Sequence, residues 1–195
     1  MKNASRLLLA IAGAVICVGA YAADTATEVQ RDTNQQERIE QGLQNGSLNT
    51  KEAGRLEQDE SRVDRSEANA EKNGNLSAAE KNRIQHQQNQ VSQAINRDEN
   101  NGARGNPNSA SSQRMQADVQ RNVNQDQRVE QGVKNGSLTN RETGKLERGQ
   151  AHDDRLQAQA AHNGHVNGRE QQHIQMAENH QSNRVWNKKH NDVVR

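Results

Sequence analysis

The stretch 41-QGLQNGSLNTKE-52 decides the fold, and it returns as 131-QGVKNGSLTNRE-142. Asn45-Gly46 suits the left-handed position that closes an α-helix, where a Cβ would clash. Leu48 stands just before the next helix, and Asn49 offers a side-chain oxygen to that helix's first N–H groups. Glu52 follows three residues later, placed to bond back to the Asn49 N–H and complete a capping box. One helix end and one helix start are thus encoded in a single short turn.

Working outward, residues 31–101 match residues 121–191 at a constant offset of 90. Arg38, Glu40, Glu52, Gly54, Leu56, Glu57, Asp64 and Arg65 all recur at that offset. Inside each copy the turn repeats more weakly after 28 residues, at Asn73-Gly74-Asn75-Leu76 with Glu80 and at Gly164 and Val166 with Glu170. The N-cap residues are then Asn49, Ser77, Thr139 and Asn167. Leu56, Val63 and Ala70 recur every seven residues and Ile84, Val91 and Ile95 follow at seven and four, which is helical spacing without strand alternation.

The pattern predicts an all-α chain: a signal peptide over 1–22, then two tandem antiparallel three-helix hairpin units at 23–101 and 117–195. Helices are expected near 27–44, 49–72, 77–98, 117–134, 139–162 and 167–190. The stretch 102-GARGNPNSASSQ-113 holds the only proline, Pro107, and reads as a flexible linker extending over 102–116.

Composition sets the limits. Of 195 residues only 29% are hydrophobic and 1% aromatic, with no Phe. Asn and Gln, at 24 each, make up about a quarter of the chain. Twenty-six basic against 25 acidic residues excludes nucleic-acid binding by bulk positive charge. The apolar stripes are narrow, so each unit is expected to be marginal and to lean on a ligand, a protein partner or self-association. Runs such as Arg55, Glu57, Asp59, Glu60, Arg62 and Asp64 read as a solvated helix face.

Lys2 and Arg6 precede an apolar segment, Leu7 to Val18, and Ala20-Tyr21-Ala22 supplies a small-x-small cleavage site. The expectation is export to the periplasm or beyond, with cleavage after Ala22 and no membrane span afterwards. Cys17 would be the lipidated residue of a lipoprotein leader, but the bulky Ile16 precedes it. Cleavage after Ala22 removes the only Cys, leaving neither disulfide nor thiolate ligand.

Six of the seven histidines lie in the second copy. His162 and His165 flank the Gly164 turn, Glu170 and His173 share a helix face, and Met176 and His180 continue the stripe. Imidazole, carboxylate and thioether suit Cu, Ni or Zn, so His162, His165, Glu170, His173, Met176 and His180 are the candidate metal ligands. The alternative is a polar surface on which His replaces Asn and Gln. An EF-hand-like calcium loop around Gly74 would use Asn69, Glu71, Asn73 and Glu80, but capping already explains those positions. Trp186 is expected to anchor the end of the last helix against the bundle. No nucleotide loop, nucleophile triad or zinc-protease helix is present, and the many carboxylates lack an apolar pocket, so no enzymatic activity is expected.

The runs QGLQNGSLNTKEAGRLE, EKNGNLSAAEKNRIQ and QGVKNGSLTNRETGKLE, with the terminal NKKHND, resemble a largely uncharacterised family of small exported proteobacterial proteins. That family carries a G-x-L-T-x-x-E turn and a terminal helix ending in K-H-D-like residues. The chain departs from it at Asn73 and Asn163, where the family often has Asp. The resemblance implies helices and export. The expected function is a non-enzymatic exported binding protein that binds or buffers transition metals or supports the stressed envelope. A chaperone-like or adhesive interaction module is the alternative.

Overall fold

The computed structural model describes residues 16–191, with side chains from Asp24 onward. The expected leader falls mostly at 1–15, outside the described residues. The described chain is all helical: α1 (Ile16–Asn45), α2 (Thr50–Ala70), α3 (Ala78–Glu99), α4 (Ala110–Lys134), α5 (Asn140–Ala161) and α6 (Gly168–Lys189), with a 3-10 turn at Glu71–Asn73 after α2. No described helix is long and apolar enough to cross a membrane.

All four capping boxes close. Asn49, Ser77, Thr139 and Asn167 accept from the N3 backbone N–H, and Glu52, Glu80, Glu142 and Glu170 bond back. The preceding turns need glycine, since Gly46, Gly74, Gly136 and Gly164 all take φ between 78° and 87°.

The arrangement of helices is set by the repeat. Each helix of the central layer packs most closely on its equivalent in the other copy, α2 on α5 and α1 on α4. Helix α3 covers α1 and α2, and α6 covers α4 and α5. Counterparts meet at an approximate two-fold axis: Ser61 Oγ donates to the Ala151 carbonyl at 2.8 Å, and Gln127 Nε2 donates to Glu37 Oε1 at 3.1 Å. A Cβ on Gly54 would lie 2.5 Å from the Cβ of Ala161, and one on Gly144 would lie 2.9 Å from the Cβ of Glu71. These two glycines let α2 and α5 run antiparallel at close range.

One apolar cluster therefore draws on both copies, joining Ile39, Leu56, Val63, Ile84 and Ile95 to Met115, Val119, Ala161, Val166 and Ile174. A smaller one joins Val29 to Val129, Val133, Leu138, Leu146 and Val185. Narrow stripes that cannot enclose a core within one copy do so when two copies interlock.

The connection between the copies differs from the flexible 102–116 linker that the sequence predicts. Helix α4 already begins at Ala110, because Ser109 caps it by accepting from the Ser112 N–H. Met115 is fully buried, which extends the apolar stripe upstream of Val119. The short remaining segment is tied to the first turn: Gly105 N donates to the Gly46 carbonyl at 2.9 Å, and Asn101 Nδ2 donates to Glu52 Oε1 at 2.8 Å.

Candidate functional site

With α2 and α5 packed on each other, one polar face of each is turned away from solvent. The acidic residues of α2 at spacings of three and four, Glu57, Glu60, Asp64 and Glu67, are all buried. Glu147, Asp153 and Asp154 are buried on α5, Glu28 and Asp32 on α1, Asp118 and Asp126 on α4, and Glu178 on α6. Among the described residues, no Lys, Arg or His is buried with them. This corrects most of the sequence expectation of a solvated face: Arg55, Arg62 and Arg65 are exposed and Asp59 pairs with Arg62 at the surface, while Glu57, Glu60 and Asp64 are buried.

Amide side chains supply the hydrogen bonds that bases do not. Gln36 Nε2 donates to Glu57 Oε2 at 3.0 Å, and Gln88 Nε2 donates to Asp32 Oδ1 at 2.8 Å and Glu67 Oε1 at 3.1 Å. In the second copy Asn122 Nδ2 donates to Asp154 Oδ1 at 2.9 Å, Gln150 Nε2 to Asp126 Oδ1 at 2.6 Å and Gln157 Nε2 to Glu178 Oε1 at 3.2 Å. Acid and amide exchange places between copies: Asp32, Glu60 and Glu67 correspond to Asn122, Gln150 and Gln157, whereas Gln36 and Gln88 correspond to Asp126 and Glu178. Arg121 Nη1 to Glu178 Oε2, at 3.4 Å, is the one ion pair recorded for this interior set among the described residues.

Burial without counter-charge raises these carboxyls. Desolvation, then the neighbouring carboxylate of Asp32, pushes Glu28 to about 8. Desolvation outweighs the hydrogen bonds from Glu67 and Gln88 at Asp32, pushed up to about 7, and from Gln36 at Glu57, pushed up to about 8. Asp118 and Asp153 rise to about 7 and Glu178 to about 9, again chiefly by burial. Glu60, Asp64, Glu67, Asp126, Glu147 and Asp154 are held well above the usual carboxylate range by burial and mutual repulsion. Asp64 and its counterpart Asp154 lie within hydrogen-bonding reach of each other, a contact that needs a shared proton.

Oxygens of Asp32, Asp64 and Glu67, one from each, lie within 4.8 Å of one another. Among the described residues this is the one set of three His, Cys, Asp or Glu groups so close.

The six predicted ligands are divided among several places. His173, Met176 and His180 line a groove of about 380 Å³ between α5 and α6, joined by His152, which the sequence did not single out. Arg148 and Arg184 line the same groove, an electrostatic cost to a bound cation. His162 lies in a different groove, with Lys51, Arg55 and Gln58. His165 is exposed at the Gly164 turn. Glu170 shares a smaller groove with His173, but its Oε2 accepts from the Asn167 N–H at 2.7 Å. Trp186 is 57% exposed and stacks on His190 with ring centroids 4.5 Å apart. The neighbouring Val185 is the side chain that anchors α6.

No protein-family model, curated protein or solved structure matches the chain.

Proposed function

We propose that this chain is a non-enzymatic, exported helical binding protein of the bacterial envelope that takes up cations on its interior carboxylates, protons and metal ions competing for the same oxygens. The observation that carries this reading is the set of buried carboxylates on five helices without a buried base. Ionised carboxylates at such depth are costly unless something positive neutralises them. A chain exposed to the changing pH and ion content of the envelope meets both kinds of neutralising ion.

Proton uptake tests it. Between about pH 8 and pH 5 the folded protein takes up several more protons than the same chain in concentrated urea, whose carboxyls titrate near 4. Equal uptake in the two states sinks the reading.

Export rests on Lys2, Arg6, the apolar Leu7–Val18 segment and Ala20-Tyr21-Ala22. The intact mass of protein recovered from its native envelope is expected to correspond to a chain starting at Ala23. A mass that retains the first 22 residues overturns cleavage at this site.

A further inference from the structure

We propose that Asp32, Asp64 and Glu67 bind one hard divalent cation in the first copy, and that the second copy has no equivalent site. This rests on the cation-uptake reading above and names the metal class and its place.

The spacing of the three carboxylates suits a shared ion. Metal–oxygen bonds of about 2.0–2.6 Å separate neighbouring donor oxygens by about 3–5 Å, and these three groups reach within 4.8 Å of one another. Each also keeps an oxygen that accepts no hydrogen bond from an amide, a hydroxyl or the backbone, Asp32 Oδ2, Asp64 Oδ2 and Glu67 Oε2, and the Asp32 and Glu67 carboxyls lie within hydrogen-bonding reach of each other.

Two further side chains point to a ligand. Gln88, 0% exposed, donates its Nε2 to Asp32, Glu67 and the Glu28 carbonyl, while its Oε1 has no partner. Turning that amide over presents a neutral oxygen to an ion held by the two carboxylates. Glu28, 3% exposed, stands one turn before Asp32 on α1 and has no partner for either oxygen. An all-oxygen set with excess negative charge selects Mn2+, Ca2+ or Mg2+ over soft metals that prefer imidazole or sulfur.

The second copy is the internal comparison. Asn122 and Gln157 replace Asp32 and Glu67, so amide N–H groups do there what a cation is proposed to do here. Asn122 Nδ2 satisfies Asp154, Gln157 Nε2 satisfies Glu178, and Arg121 reaches Glu178 from the edge.

The test transplants the second copy's residues into the first. Chelator-treated mature chain is melted near neutral pH with and without millimolar Mn2+, Ca2+ or Mg2+, alongside the variant Asp32→Asn plus Glu67→Gln. At least one of these ions should raise the wild-type melting temperature by about 5 °C or more. The variant should melt higher than wild type without metal and show no further rise with it. Isothermal titration should give one ion per wild-type chain and none per variant. No shift in the wild type, or the same shift in the variant, overturns the site. If no ion acts but the wild type still takes up extra protons between about pH 8 and pH 5, the cation site alone falls. If proton uptake matches the unfolded chain as well, both readings fall.

Discussion

Lowering the pH from about 8 to about 5 should stabilise this protein, raising its melting temperature by about 10 °C or more. The direction follows from proton linkage. In the unfolded chain Asp and Glu titrate near 4, whereas Asp32, Asp118 and Asp153 titrate at about 7 and Glu28, Glu57 and Glu178 at about 8 to 9 in the fold. Between these values the native state holds more protons than the unfolded one. Unfolding free energy therefore falls as pH rises through that window. It is greatest below about pH 4, where both states are protonated. Between about pH 8 and pH 5 a single carboxyl that titrates at about 7 in the fold contributes about 3 kcal/mol to the difference, so even partial relaxation of the interior leaves a large effect. Opposing bases are few and peripheral: Lys81 near Glu28, Arg31 near Asp32, Arg121 near Glu178 and Arg184 near Asp153. Thermal melts followed by circular dichroism across this range decide the matter, and a melting temperature that falls toward acid sinks the prediction.

The second large effect is expected at Glu60. Both its oxygens lack a hydrogen-bond partner, and it is 1% exposed. Its charged neighbours are Asp32, Glu57, Asp154 and Asp126, all acceptors when ionised. Glu60→Gln should stabilise the protein near pH 8 by about 2 kcal/mol or more, because it removes the cost of burying a carboxyl that must be charged or hold a proton there, and adds an N–H donor among acceptors. The corresponding position in the other copy is already Gln150, which donates to Asp126 at 2.6 Å. The reciprocal change, Gln150→Glu, should destabilise by a similar amount near pH 8 and by much less near pH 5. Urea denaturation at the two pH values measures both, and a loss of stability for Glu60→Gln at pH 8 contradicts the account.

Helix ends were legible in the sequence because their chemistry is local. Asn45-Gly46 through Glu52 specifies a turn and a cap without reference to anything distant. What the two copies do to each other was not legible, because α2 packs on a helix 90 residues away and nothing near Glu57 records that. One signal was available. On α2 the bases Lys51, Arg55, Arg62 and Arg65 are exposed, while Glu57, Glu60, Asp64 and Glu67 are buried. On α5, Arg141, Lys145, Arg148 and Arg155 are likewise exposed, opposite Glu147 and Asp154. A solvated face mixes signs to form i,i+3 and i,i+4 pairs; on α2 only Asp59 with Arg62 does so, and the other acids lie on a different face from the bases. The placing of the histidines is likewise tertiary: His173 and His180 share α6 and one groove, while His162 lies in another groove and His165 at the turn between α5 and α6.

The near-symmetric contact of Ser61 with Ala151 has a genetic corollary. A chain built of one repeat would have to form a homodimer to bury the same surfaces, and every interior acid would then occur twice. Duplication within a single gene removes that constraint. It lets the halves differ: Asn122, Gln150 and Gln157 stand where the first half has Asp32, Glu60 and Glu67, and Asp126 and Glu178 stand where it has Gln36 and Gln88. Divergence between the halves thus becomes a means of setting how much negative charge one molecule encloses.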